Sequence, residues 1–139
     1  MAMDSLTIFM VTTLRSTAGV ITPQTHGTHV AGTIGAVGNN ATGVVGVNWG
    51  VGLMSLKFID GFQADTADAI RACNYAKMMR DRWVSTGGTQ GANLRVLNNS
   101  YGDDQFTQSF LDSINALNQS GILFCGFGGQ CRWVQHPAG

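Results

Sequence analysis

The chain is short of charge, of long apolar runs and of cysteine. Charged residues make up 12% of its 139 positions, against about 25% in an average domain, and eight Lys and Arg balance eight Asp and Glu. No Lys/Arg cluster disturbs that balance. Affinity for nucleic acid rests mostly on neutralised phosphates, so no nucleic-acid partner is expected. No apolar stretch reaches the ~20 residues that span a bilayer, so no membrane partner is expected either. The run from Leu6 to Leu14 comes nearest to a signal core, but Asp4 and no positive residue precedes it, and it reads as a strand. The cysteines are three, Cys73, Cys125 and Cys131, so they cannot all pair within the chain. Cys125 and Cys131, the closest two, lack a second Cys/His pair to complete a zinc site. Buried thiols are expected.

What remains is apolar and rich in small residues. Hydrophobic residues make up 44% of the chain, and 19 residues are glycine, about twice the usual ~7% share. The length suits a single domain with one core. From His26 to Val37, Val30, Ile34 and Val37 share one face of a Gly/Ala-rich helix. Residues 38–43 (Gly-Asn-Asn-Ala-Thr-Gly) form a turn cluster. Val51 to Ile59 is apolar without alternation, as a buried parallel strand would be. Asp65 caps a helix that continues through Ile70, Cys73, Lys77 and Asp81. Ser85 to Asn93 reads as a loop of variable length, and Leu94 to Leu97 as a strand. Gln105 to Gln119 reads as a helix with Phe106, Phe110, Ile114 and Leu117 on one stripe, ended by Gly121. Ile122 to Phe124 opens another strand. Strands alternating with long helices predict an α/β fold, three layers deep, with a mainly parallel sheet. In such a sheet the working residues lie at the carboxyl ends of strands. Those ends are Asp60-Gly61, Asn99 to Gly102, and the glycines after Phe124. No internal repeat or linker divides the chain.

The stretch His26-Gly27-Thr28-His29-Val30-Ala31-Gly32-Thr33 carries the chemistry. It places a histidine at the mouth of a helix among small neighbours, and it resembles the histidine motif of subtilisin-like serine proteases. Four further blocks resemble that family in the right order: Gly43-Val44-Val45-Gly46-Val47, Leu53 to Phe58, Leu97-Asn98-Asn99-Ser100-Tyr101-Gly102, and Gly121 to Phe124. The resemblance implies a peptide-bond hydrolase. In such an enzyme a serine hydroxyl attacks the carbonyl, a histidine takes its proton and an aspartate orients the histidine. His26 matches the general base, whereas His29, three residues on, is expected to be a satisfied structural histidine. Ser100 and Gly102 match substrate-binding positions whose backbone groups pair with an extended peptide like an added strand; Tyr101 between them would border the pocket for the substrate side chain, and Gly128 matches a further substrate-binding position. The loop from Val37 to Val44 resembles the family's calcium loop, with Asn40 as its side-chain ligand. A structural calcium is therefore an expectation, and no cofactor is required for the chemistry. Peptide or protein substrates, secretion, and self-association through exposed sheet edges follow as expectations of the same resemblance.

The match also departs from the family. Thr25 stands where a glycine usually precedes the motif histidine. The aspartate motif is represented only by the stretch around Asp4, 22 residues before His26, a shorter spacing than the family's. No Gly-Thr-Ser-Met nucleophile motif occurs, because the chain stops before that region, and Ser85, Ser109, Ser113 and Ser120 lie outside any such context. Gln130 stands at the oxyanion position, where the family has asparagine; losing one such donor costs about 10²–10³ in turnover. Codons exist for Cys125 to Arg132 whose second reading frame gives Val-Ala-Ser-Ala-Gly-Asn-Ala, the expected family sequence. Residues 125–139 therefore read as a frame-shifted tail, residues 26–124 as a family-like core and residues 1–25 as a poorly matching lead, all in one partial domain. A triad protease of little or no activity as this chain alone is the expected function. The alternative is a non-catalytic peptide-binding module of the same fold. A nucleotide-binding domain is disfavoured, because no Gly-x-Gly-x-x-Gly or Gly-Lys-Ser/Thr element follows a strand.

Overall fold

The computed structural model describes residues 7–11, 25–59, 65–101, 106–126 and 131–132, with the backbone alone described at 7–11, 25 and 131–132. Strand β1 (Thr7–Val11) precedes helix α1 (Thr25–Gly35), strand β2 (Gly52–Leu56), helix α2 (Thr66–Ser85) and strand β3 (Leu94–Asn98). Helix α3 (Gln108–Gln119) and strands β4 (Leu123–Cys125) and β5 (Cys131–Arg132) complete the order. The strands line up as β2-β1-β3-β4-β5. The first four run parallel and β5 returns antiparallel on β4. This is the mainly parallel α/β sheet that the alternation of elements predicts.

The order also fixes where ligands can sit. From β1 the chain steps outward to β2, then crosses back over β1 to β3 and onward to β4. Right-handed crossovers in opposite directions put α1 on one face of the sheet and α2 and α3 on the other. The reversal falls between β1 and β3, and the crevice of such a sheet opens at the carboxyl ends beside that point.

Among the described side chains the buried cluster lies in the second half of the chain. Cys73 and Ala76 of α2, Leu94 and Leu97 of β3, Leu117 of α3, and Ile122 and Phe124 at β4 form one buried cluster. Helix α2 reaches it with small residues: Ala69, Ala72, Cys73 and Ala76 are buried, at the i, i+3, i+4, i+7 spacing of one face. Asp65 caps this helix as expected, its carboxylate accepting from the Ala67 amide at 2.8 Å. Ring packing seals the layer between α3 and β4, with Phe110 edge-on to Phe124 at 5.9 Å.

Two local expectations are corrected. Strand β2 is not doubly buried: it terminates the sheet order, and its side chains alternate between half-buried and exposed. An end strand keeps one face against the core and turns the other out, so the continuous apolar run misleads. Helix α3 starts at Gln108 rather than Gln105, with Thr107 as its N-cap, and Phe106 falls outside the stripe and is exposed. The segment after α2 is a loop, as expected, and a tightly folded one. The Gly88 amide donates to the Trp83 carbonyl at 2.8 Å, and the Ala92 amide donates to the Met79 carbonyl at 3.0 Å.

Candidate functional site

His26 is the second residue of α1 and is solvent-exposed. A helix joining two parallel neighbours must run back along the sheet, so its N-terminus lies toward the carboxyl edge, where the sheet's crevice opens. Gly27 beside it is buried, which brings the backbone of this first turn close to its surroundings. His29 is exposed, contrary to the expected structural histidine: three residues on from His26 it has turned with the helix onto an open face. Its carbonyl accepts from the Thr33 hydroxyl at 3.0 Å.

Helix α1 carries little side-chain burial and is held at its far end by backbone. The Gly46 amide donates to the Ala36 carbonyl at 2.8 Å. The Val47 and Asn48 amides donate to the Thr33 and Ile34 carbonyls, each at 3.0 Å. The returning segment thereby satisfies carbonyls that a helix C-terminus leaves open. A Cβ on residue 46 would lie 2.4 Å from the Ala36 nitrogen, so only glycine permits this approach. The Gly-Val-Val-Gly-Val block of the sequence is thus a backbone clamp on the histidine helix.

Between helix and clamp, the 37–44 loop is tightly folded. Asn39, Ala41 and Gly43 take positive φ, at 56°, 54° and 57°. The Asn40 side-chain oxygen accepts from the Thr42 amide at 3.1 Å, and the Thr42 hydroxyl donates to the Asn40 carbonyl at 3.1 Å. The Asn40 side-chain oxygen keeps a second lone pair beyond the turn bond. Among the described residues no three His, Cys, Asp or Glu side chains cluster as metal ligands. Calcium takes six to eight oxygens, of which Asn40 and the loop carbonyls would supply a part.

The second part of the site is the end of β3. Just past the last ladder pair, Asn98 with Cys125, the buried Asn99 ties the two strands together. Its amide donates to the Cys125 carbonyl at 2.8 Å, and its side-chain nitrogen donates to the Leu97 carbonyl at 3.2 Å. Its side-chain oxygen accepts from the Tyr101 hydroxyl at 3.1 Å. Ser100 is half-buried and accepts from the Asn98 side-chain amide at 2.8 Å. The Tyr101 ring stands edge-on to Phe58 at 5.3 Å and packs against the core cluster. Burial, with the nearby Cys73 thiol, pushes the Tyr101 phenol well above its ordinary range. Burial likewise raises the Cys73 thiol to about 11, against a hydrogen bond with Ser113 that lowers it, so this cysteine is a packing residue and not a nucleophile. Sequence reasoning placed Asn99 at a strand end but missed its bracing role, although a doubled asparagine there carries the signal, since a buried amide must find partners.

A histidine at a helix mouth beside the sheet's crevice and a braced strand end on the same sheet define a recognisable pair of elements. The sequence profile of the subtilase family, peptidase S8, matches residues 17–127. The chain belongs to the subtilase family. Subtilisin-like protease 1 of Plasmodium falciparum is 32% identical over 112 residues, covering 81% of this chain and 14% of that protein. A thermostable alkaline protease of Halalkalibacterium halodurans is 32% identical over 119 residues, covering 81% of this chain and 28% of its own length. Among solved structures, the prenylagaramide maturation protease PagA superposes with a TM-score of 0.57 at 16% identity, over 88% of this chain and 46% of that one. The chain therefore spans less than a third of the length of these sequence relatives, and it shares the fold of that maturation protease.

The remaining candidates are unevenly placed. His26, Asn40, Ser100 and Tyr101 are described, whereas Asp4, Gly102, Gly128 and Gln130 lie outside the described residues. Strand β1 shows no carboxylate from Thr7 to its carboxyl end at Val11, and Asp4 precedes the strand. The hydroxyls of Ser85, Ser113 and Ser120 are bonded to the Arg82 carbonyl, the Phe110 carbonyl and the Asp81 carboxylate.

Proposed function

We propose that this chain is a central portion of a subtilisin-type serine endopeptidase domain, with His26 as general base and the strand end at Ser100, Tyr101 and Gly102 as the edge that pairs with an extended peptide. The observation that carries this reading is the placement of the His26 helix mouth toward the carboxyl edge on which the Asn99-braced end of β3 lies. A base accelerates acyl transfer only with a nucleophile to deprotonate and a carboxylate to orient it. Asp4 and Gln130 are the residues nearest in sequence to the aspartate and oxyanion roles, Asp4 at a spacing shorter than the family's and Gln130 in place of an asparagine. Residues 125–139 form a frame-shifted tail in this reading, which accords with a family match ending at residue 127. Little or no turnover is expected of the 139-residue chain by itself. Among the described residues no helix is long and apolar enough to cross a membrane. One relative, from Xanthomonas campestris, is named an extracellular protease, and secretion is proposed here by that likeness.

Incubating the purified chain with a fluorogenic peptide and a serine-reactive phosphonate, beside His26→Ala, tests the reading. Slow or absent turnover with no labelled serine is expected. Rapid hydrolysis that persists in His26→Ala would remove His26 from its role. The alternative, a non-catalytic peptide-binding module, is favoured by saturable binding of an extended peptide without turnover. Self-association belongs to the same proposal, because β2 terminates the sheet and Val44, Val47 and Trp49 nearby are exposed. A monodisperse monomer in light scattering would contradict it.

A further inference from the structure

The opposite edge of the sheet carries a feature that the protease reading does not use. At the C-terminal end of α2 and the start of β3, Arg80, Trp83, Asn93 and Arg95 line an open cleft of about 280 Å³, with Gly87 and Gly88 at its rim. The two arginines lie 15 positions apart in sequence and meet because the turn after α2 doubles the chain back into β3. We propose that Arg80 and Arg95 bind a compact oxyanion, a phosphate or a carboxylate, against the Trp83 indole. This site is separate from His26 and Ser100, which belong to the carboxyl edge.

The donor geometry supports the assignment. A guanidinium carries five N–H donors in a planar fork that matches carboxylate and phosphate. Arg80 commits one donor to the Ser120 carbonyl, at 3.4 Å, and one to the Asn93 side-chain oxygen. Those two bonds fix its plane and leave the rest of the fork open. Arg95 makes no hydrogen bond or ion pair among the described residues and is exposed. The cleft is therefore lined by one positioned guanidinium and one adaptable one. Arg80 titrates below its usual value through burial and the cationic Arg95 nearby, against the opposing pull of Asp81, so the two cations stand close enough to repel. An anion between them relieves that repulsion. Asp81, the carboxylate that acts on Arg80, does not line the cleft and is held by Lys77 at 2.5 Å and by the Ser120 hydroxyl at 2.7 Å.

The third wall is built rather than incidental. Gly88 has φ +87°, and a Cβ there would meet the Trp83 ring at 3.0 Å. The turn thus lies flat against the indole and holds it in place. The Arg82 Nε donates to the Gln90 side-chain oxygen at 2.9 Å, which pins the same turn and keeps that arginine out of the cleft. An indole face beside two guanidiniums suits an anion attached to a small apolar group.

Titration of the 139-residue protein at constant ionic strength tests the proposal, with inorganic phosphate in one arm and a glutamate-containing peptide against its glutamine counterpart in the other. Phosphate is expected to bind saturably and to perturb tryptophan fluorescence, with a dissociation constant of about 1 mM or below. Arg95→Gln is expected to weaken it about tenfold, Arg95→Lys less, since Lys keeps the charge but loses the fork. Trp83→Phe should remove the fluorescence change while calorimetric binding persists, and Arg71→Gln, distant from the cleft, should leave both unchanged. A glutamate peptide that binds more tightly than phosphate and than its glutamine counterpart identifies a protein carboxylate as the ligand; equal or weaker binding identifies the free anion. Arg95 is exposed, so its variants should fold, and circular dichroism verifies this. No saturable signal in either arm, or one that Arg95→Gln and Arg80→Gln leave intact, overturns the proposal.

Discussion

The two halves of this molecule are built by different means. Among the described side chains, the half made of α2, β3, α3 and the β4 strand with its lead-in supplies the buried hydrophobic cluster. The half made of α1, the 37–50 segment and β2 exposes Val37, Val44, Val45, Val47, Trp49 and Leu53, reaches the cluster only with the partly buried Met54 and Leu56, and has its helix end held by backbone bonds to residues 46–48. The proposed base lies on the lightly packed half, and the proposed substrate edge on the densely packed one. A substrate edge must present fixed amides and carbonyls, and its stability comes from the strands behind it. A base at a helix mouth depends instead on a few backbone bonds.

Mutations that remove core volume should separate the halves most clearly. Leu97→Ala or Leu117→Ala is expected to cost about 2–5 kcal/mol, both side chains being fully buried. Val47→Ala, 89% exposed, should stay within about 0.5 kcal/mol. Urea titration measures both, and equal losses would erase the contrast.

Alkaline pH should strike the dense half next. The Cys73 thiol is raised to about 11 by burial, so the unfolded chain ionises there first and releases a proton that the folded chain retains. Stability therefore falls as pH rises from the ordinary thiol value toward 11, by about 2–3 kcal/mol in all. The raised Tyr101 phenol acts in the same direction at still higher pH. Thermal melts from pH 8 to 10.5 should show a decline that Cys73→Ala flattens.

Gly46→Ala probes the other half. Its Cβ would sit 2.4 Å from the Ala36 nitrogen and 2.6 Å from the Gly35 nitrogen, and overpacking of this kind costs about 1–3 kcal/mol. Amide exchange should quicken in residues 32–36 and not in α3. Asp65→Ala removes the α2 cap and should cost about 1 kcal/mol, measured by the same urea titration. The smallest effect is expected from calcium. With a dissociation constant near 1 mM, at the weak end for calcium sites, adding about 1 mM of the ion contributes only about 0.4 kcal/mol, a shift of one or two degrees in the melting temperature. A shift several times larger would restore a formed calcium site.

The legible parts of the sequence were those written in local chemistry. Asp65 announced the α2 start, Gly121 (φ 72°) the α3 stop, and the alternation of elements the parallel sheet. The histidine motif marked the helix mouth directly. Long-range facts were hidden. Nothing in the run Val51 to Ile59 says that β2 would terminate the sheet, because burial depends on strand order and not on the strand's own residues. Phe106 kept a helical spacing with Phe110 while the helix began after it, since Thr107 takes the cap position. Arg80 and Arg95 escaped a search for basic clusters along the chain because only the turn at Gly87 and Gly88 brings them to one cleft. Asn99 was visible as a residue and illegible as a brace, because its partner is the carbonyl of Cys125, 26 positions away.

Segment-resolved hydrogen exchange on the intact chain tests the central contrast most directly. Amides of β3, α3 and β4, including that of Asn99, are expected to open only with global unfolding, while those of α1 and of residues 46–48 exchange through local opening well below it. Equal protection of α1 and α3, or faster exchange at β3 than at α1, would contradict a base on the lightly packed half and a substrate edge on the dense one.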